Sequence, residues 1–219
     1  MFLRFLKRTV RLVIALYVGA LIVAFFVDPE PVPTHPFFAR RTGKPLAIAH
    51  RGGPELGPES VVDTYRKVSD LGVDMLEMDI HVTSDGELVV AHDRRVDRVT
   101  DGSGRIADMT LAELRSLDAA YHWTPDGTTF PRRGQGASIP TVDEMFDAFP
   151  DARFVIEMKA RNVSRDLCAR IRHHHMVDRV AVTTFSDDSL EEFRLQCPQV
   201  VTSASSEEVA IFWFLHALR

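Results

Sequence analysis

Residues 74–92 read DMLEMDIHVTSDGELVVAH. In the first nine, DMLEMDIHV (74–82), Glu77, Asp79 and His81 occupy alternate positions, so all three project from one face of an extended strand. The residues between them are apolar, as in a strand buried within a parallel sheet. ELVVAH (87–92) reads as the next strand and ends in His92-Asp93. Working outward, strands are expected at LAIAH (46–50), RFVIEMK (153–159), VAVTTF (180–185) and VVTSA (200–204). Helices are expected over 59–71, 110–117, 141–148, 164–175, 187–196 and 206–218. Thr110 with Glu113, and Thr141 with Glu144, each have the spacing of a capping box, in which hydroxyl and carboxylate satisfy first-turn amides. Strand–helix alternation with apolar strands implies a parallel sheet covered by helices.

In such folds the site forms at the carboxyl ends of the strands, and the unusual polar residues fall there. The first strand ends in His50-Arg51-Gly52-Gly53 and a loop leads to Pro58-Glu59; the strand at 153–159 ends in Glu157-Met158-Lys159. A buried carboxylate is costly unless it is paired or bound to a metal. Glu77, Asp79 and Glu157 converging at strand ends point to a hard divalent cation with oxygen ligands. The competing account pairs these carboxylates with Arg51 and Lys159 as structural salt bridges.

The chain has 219 residues, 45% of them hydrophobic and 26% charged, an ordinary globular balance that excludes disordered and collagen-like chains. Its net charge of −5 conceals an asymmetry: residues 28–219 hold 22 basic and 31 acidic residues, a net −9. An acidic body argues against nucleic-acid binding. Cys168 and Cys197 are too isolated for a cysteine-rich zinc site and are read as buried thiols in preference to a disulfide, a bridge that a non-cytoplasmic, oxidising compartment keeps open. No Walker loop, G-x-G-x-x-G or G-x-S-x-G is present. His173-His174-His175 is read as a solvated helix end, and His81 as lining the site or capping a neighbouring group. His122-Trp123 lie in the polar 118–138 loop, read as a substrate lid or a cover for the barrel.

Residues 1–27 carry Arg4, Lys7, Arg8 and Arg11 and no acid, and LVIALYVGALIVAFFV (12–27) is uncharged. Sixteen helical residues cover roughly 24 Å, close to a ~30 Å hydrocarbon core. The run is therefore expected to be a transmembrane anchor, with residues 10–27 spanning, the N-terminus cytoplasmic and the body on the non-cytoplasmic side. Residues 28–45, with five prolines, are expected to be an extended spacer, with Phe37-Phe38 docking on the domain or on the membrane. The body is placed at 46–219.

AHRGG…PES, LGVDMLEMDIHVTSDGELVVAHD, RVTDGSGRIADMTLAELRSLDA, IPTVDEMFDAFP and FVIEMK, in that order, closely resemble the glycerophosphodiester phosphodiesterase family from about residue 46 to at least 186. The resemblance implies an α/β (β/α)₈ TIM-type barrel. It also implies cleavage of glycerophosphodiesters, or of lysophospholipids, with Ca²⁺ or Mg²⁺ as cofactor and attack by the substrate's own 2-hydroxyl. By position, His50 and His92 match the catalytic pair, and Glu77, Asp79 and Glu157 the metal carboxylates. Arg51 and Lys159 match phosphate-contacting cations, and Glu59 the acid of the family's P-E-N-T segment. That segment departs from the pattern here, reading Pro58-Glu59-Ser60-Val61, so the side-chain amide of the family's Asn is lost at Ser60.

The chemistry agrees with the residues: cations neutralise the phosphodiester's charge, while one histidine takes a proton from the attacking hydroxyl and the other protonates the leaving oxygen. Six strands are expected where a closed barrel has eight, so the body reads as an incomplete barrel, its apolar 211–215 segment left uncovered. Two other readings stand beside this one: a barrel phosphodiesterase of the phospholipase C or lysophospholipase D kind, and a nonenzymatic membrane-anchored binding module. The partners expected are a small-molecule or lipid phosphodiester and, through the N-terminal helix, a membrane.

Overall fold

The computed structural model describes residues 2–26, 34–39 and 45–217. Its elements are α1 (Phe2–Phe26), β1 (Ile48–Ala49), α2 (Val62–Asp70), β2 (Met75–Val82), β3 (Leu88–Val90), α3 (Leu111–Arg115) and α4 (Val142–Ala148), followed by β4 (Phe154–Met158), α5 (Ser164–His173), β5 (Val180–Thr183), α6 (Asp187–Gln196), β6 (Val201–Thr202) and α7 (Ser206–Ala217). The chain divides into two units, residues 35–205 and residues 1–34 with 206–219.

Within 35–205 the order β1-β2-β4-β5-β6 is parallel throughout, the sheet of a TIM-type barrel. The strand at 87–92 corrects the expected six parallel units. It shrinks to β3 and pairs antiparallel with β2, Val90 opposite Ile80 and Leu88 opposite Val82. The cause is local. Thr83-Ser84-Asp85-Gly86 closes a tight hairpin: the Gly86 amide donates to the Thr83 carbonyl, and Gly86 takes the left-handed φ of 88° that such a turn requires. β1 and β3 therefore share one edge of β2, with β4 on the other.

Both capping boxes form, at Thr110/Glu113 and Thr141/Glu144. The helix expected from residue 59 starts at Val62 instead, because Ser60 sits at φ 58°, outside the right-handed helical region. One apolar core lies between the sheet and α2, α4, α5 and α6, with Tyr65, Phe146, Phe154 and Phe193 at most 1% exposed. A second, built on Val89, Val96, Ile106, Leu114 and Ile139, fills the excursion between β3 and α4.

Cys168 of α5 and Cys197 at the end of α6 form a disulfide, the alternative left open beside the favoured reading as buried thiols. Consecutive parallel crossovers place α5 and α6 side by side and bring the two Cα atoms to 5.7 Å, within bridging range. His174 also departs from the expected solvated helix end. Its ring is held by Asp143 at 2.8 Å and Asp147 at 3.3 Å, joining α5 to α4. Phe37 does dock on the domain. It is 3% exposed, and Arg153 Nη1 donates to the carbonyls of Phe37 and Ala39, whereas Phe38 stays exposed. Of the expected spacer, 28–33 and 40–44 lie outside the described residues.

In the other unit, α1 carries exposed apolar side chains such as Leu16, Val23 and Phe25, and α7 exposes Ile211, Phe212, Trp213 and Phe214. The transmembrane span expected over 10–27 is not found: among the described residues no helix is long and apolar enough to cross a membrane. Arg4, Lys7, Arg8 and Arg11 take up the first part of α1, and the uncharged 12–26 that remain within it cover only about 22 Å against a ~30 Å hydrocarbon core.

Candidate active site

The parallel register of β2 and β4 sets Asp79 directly opposite Glu157, with Glu77 two residues earlier on the same face. One ligand oxygen from each of Glu77, Asp79 and Glu157 lies within 4.8 Å of the others. Two cations lean on the cluster. Lys159 Nζ is 2.7 Å from Glu157 and 3.2 Å from Asp79, and Arg51 Nε is 3.7 Å from Asp79 Oδ2. The salt bridges weighed against a metal are thus present, yet they leave the cluster incomplete. Three carboxylates face two cations. Asp79 is 1% exposed and its Oδ2 accepts no hydrogen bond, an orphaned buried acceptor that proteins seldom tolerate. Burial, with Asp79 and Glu157 adding to it, pushes Glu77 up to about 7 against the pull of the Arg51 backbone amide. A hard divalent cation fits this donor set: oxygen ligands, a surplus negative charge and an unsatisfied oxygen.

The His50-Arg51-Gly52-Gly53 turn is seated on the cluster through its backbone. The Arg51 amide donates to Glu77 Oε2 at 2.7 Å, with Arg51 itself at φ 50°, ψ 30°. A non-glycine residue in that region costs of order 1 kcal/mol and points to a turn held by its surroundings. Gly52, at φ 78°, lies so close to the Tyr65 ring that a Cβ would meet it at 3.2 Å, and Tyr65 donates its hydroxyl to the Glu77 carbonyl at 2.8 Å. His50 is exposed, and no side-chain hydrogen bond holds its ring among the described residues.

His92 is held differently. Its Nδ1 lies 2.7 Å from Asp93 Oδ1; Asp93 Oδ2 accepts from Arg98 Nε at 2.5 Å, and Arg98 forks onto both oxygens of Glu59 at 2.6 and 2.8 Å. Burial pushes the Asp93 carboxyl up, but the hydrogen bonds from Arg98 and His92 outweigh it and hold the group below its ordinary range. An ionised Asp93 can only accept, so His92 Nδ1 carries a proton and Nε2 is left to exchange one. Glu59 also lies 3.9 Å from Arg51, which closes the circuit from His92 through Asp93, Arg98, Glu59 and Arg51 to Asp79, Lys159 and Glu157.

The structure therefore brings Arg51, Glu59, Glu77, Asp79, His92, Glu157 and Lys159 into one network, and His50 joins it only through the chain at Arg51. His81, 8% exposed, points its Nε2 at the His92 carbonyl 3.2 Å away, and burial lowers its pKa. Asp93 and Arg98 are the members that sequence reasoning missed. The available signal was an aspartate directly following a strand-end histidine. Trp123 ties the 118–138 loop to the first turn by donating to the Pro54 carbonyl at 2.9 Å.

Residues 50–202 match the glycerophosphoryl diester phosphodiesterase family. The chain belongs to that family. It is 32% identical over 164 residues to a glycerophosphodiester phosphodiesterase of Caldanaerobacter subterraneus subsp. tengcongensis, covering 72% of this chain and 65% of that one. The chain spans 58–65% of the length of three such curated relatives. Among solved structures, the fold resembles a glycerophosphoryl diester phosphodiesterase domain from Mycobacterium tuberculosis (TM-score 0.73, 23% identity, 80% of this chain and 65% of that one). It also resembles an Oleispira antarctica phosphodiesterase in complex with the product sn-glycerol-3-phosphate (TM-score 0.63, 24% identity, 80% and 72%). The phosphodiesterase-family motifs read from the sequence, from His50-Arg51-Gly52 to Glu157-Met158-Lys159, fall within the matched span.

Proposed function

We propose that the chain hydrolyses glycerophosphodiesters, or lysophospholipids, releasing glycerol 3-phosphate, or a lysophosphatidate, and an alcohol. The observation that carries the reading is the buried Asp79 Oδ2, which accepts no hydrogen bond within the Glu77–Asp79–Glu157 cluster and faces an equally unsatisfied Arg51 Nε at 3.7 Å, beside a histidine of fixed tautomer that Asp93, Arg98 and Glu59 hold in place. Glu77, Asp79 and Glu157 would hold Ca²⁺ or Mg²⁺, which at such a site supplies Lewis-acid polarisation of phosphoryl oxygens. Arg51 and Lys159, already beside the carboxylates, offer donors to the phosphate and offset its charge. Glu59 keeps Arg98 in place. His92, exchanging a proton at Nε2, and His50 act as a pair: one accepts the proton of the attacking 2-hydroxyl while the other protonates the departing alcohol, and with the roles reversed they activate the water that opens the resulting cyclic phosphate to the monoester.

Glycerophosphocholine incubated with the purified protein should yield choline and glycerol 3-phosphate in the presence of a divalent cation and neither after chelation. Undiminished hydrolysis in chelator would remove the metal role, and release of phosphocholine would move the reaction to the phospholipase C kind. Placement of the body on the non-cytoplasmic side belongs to the same proposal. It is supported by the Cys168–Cys197 disulfide, a bond that persists in oxidising compartments. A reporter fused after Arg219 that is active only in the cytoplasm would refute it.

A further inference from the structure

Beside the site, and sharing His92 and Lys159 with it, lies a cavity of about 470 Å³ whose polar lining is otherwise His81, Arg94, Arg105 and Arg161, with no carboxylate. Sixteen arginines lie between residues 45 and 205. Twelve of them donate to or pair with an oxygen; Arg51, Arg98, Arg115, Arg153, Arg170 and Arg194 are examples. Of the four with no such partner among the described residues, three line this one cavity. They arrive from separate segments. Arg94 and Arg105 lie on a short backbone ladder after β3, where the Ile106 amide donates to the Arg94 carbonyl and Arg95 pairs with Arg105. Arg161 follows the end of β4, two residues beyond Lys159.

Arg94, Arg105 and Arg161 are exposed, so water screens their mutual repulsion without removing it, and in a chain with a net charge of −5 surface carboxylates to neutralise them are plentiful. Their grouping without one leaves a binding site for an anion from outside. The phosphodiester brings a single negative charge, which Arg51 and Lys159, with a cation that Glu77, Asp79 and Glu157 would hold, suffice to answer. We infer that Arg94, Arg105 and Arg161 bind a second anionic group, a phosphomonoester on the alcohol half of the substrate, so that the favoured glycerophosphodiester is polyanionic. A choline or ethanolamine half meets like charge in this cavity, and a glycerol half meets no partner.

This inference rests on the hydrolase reading, and the test separates the two. Turnover of glycerophosphoinositol 4-phosphate is compared with that of glycerophosphocholine, and binding of the phosphorylated compound is measured by calorimetry in parallel. The phosphorylated substrate should lead by more than tenfold in kcat/KM at low ionic strength, with the lead falling as salt is added. Arg94→Ala, Arg105→Ala and Arg161→Ala should each cut that ratio by about threefold, as expected for partly solvated charge pairs. The triple variant should abolish it, largely through KM. Arg165→Ala, the unpartnered arginine outside the cavity, should leave the ratio unchanged. Equal kcat/KM for the two substrates overturns the inference while leaving the hydrolase standing. Binding of the phosphorylated compound that the triple variant loses, without turnover of either substrate, upholds the site and removes the hydrolase. Loss of affinity only for vesicles containing phosphatidylinositol 4-phosphate, with no discrimination among soluble ligands, overturns the inference in favour of membrane contact.

Discussion

The two strand-end histidines occupy opposite situations. His92 is half-buried and wired through its side chain: Asp93 fixes its tautomer, and Arg98 and Glu59 fix Asp93. His50 is exposed, and what is fixed around it is backbone, the Arg51 amide on Glu77 and Gly52 on Tyr65. One histidine is positioned by a chain of charges, the other by the shape of a turn. The same fold thus locates its two strand-end histidines by different physics, and the two should fail differently.

The largest effect is expected where the comparison is broken outright. His92→Ala and His50→Ala should each lower kcat for glycerophosphodiester hydrolysis by about 10²–10⁴, the range of general acid–base contributions. The double variant should lose much less than the product, because both serve one proton-transfer sequence. Steady-state kinetics at saturating divalent cation measures this, and parent-like rates in both singles would return the histidines to structure. Next, Asp79→Asn and Glu157→Gln should weaken divalent binding by at least about tenfold in calorimetry, since each removes a charged ligand at nearly constant size.

Asp93→Asn sharpens the comparison, because it unwires His92 and leaves the His50 turn intact. It should reduce kcat by about ten- to a hundredfold, with little change in KM. Partial recovery in Asp93→Glu would confirm that the carboxylate acts by positioning. A loss confined to thermal stability would reduce Asp93 to a structural role.

A smaller effect lies under the His50 turn. The pKa of Glu77 rises from 4.5 to about 7 on folding, so the folded chain keeps a proton that the unfolded chain releases. The associated stability is complete below about 4.5 and is lost as pH climbs through about 7. In chelator, Tm should fall between pH 5 and pH 8, Glu77→Gln should flatten that fall, and divalent cation should restore Tm most at the higher pH. The smallest effect is expected at Glu113→Gln, in the α3 capping box away from both histidines: kcat should stay at the parent value.

Where periodicity and caps act within a few residues, the sequence was legible. α4, α5 and α6 lie within two residues of their expected bounds, and both capping boxes form. The site residues were legible because alternate positions on a strand must share a face, which made Glu77, Asp79 and His81 neighbours before any partner strand was known. What failed depended on φ or on a partner remote in sequence. Ser60 at φ 58° delays α2, and the Ser84-Asp85-Gly86 turn folds β3 back antiparallel on β2 where strand–helix alternation elsewhere favours a parallel partner.

By itself, then, the sequence determined the alternating architecture, the acidic face of β2 and the identity of the polar residues at the strand ends, because these follow from side-chain period and local hydrogen bonding. Only the tertiary structure decided that Asp79 faces Glu157, that Arg98 reaches 39 residues back to Glu59, that Cys168 meets Cys197, and that Arg94, Arg105 and Arg161 share one cavity. Each of those pairings brings together groups far apart along the chain, and their proximity is fixed by sheet register and helix packing, which no local propensity encodes.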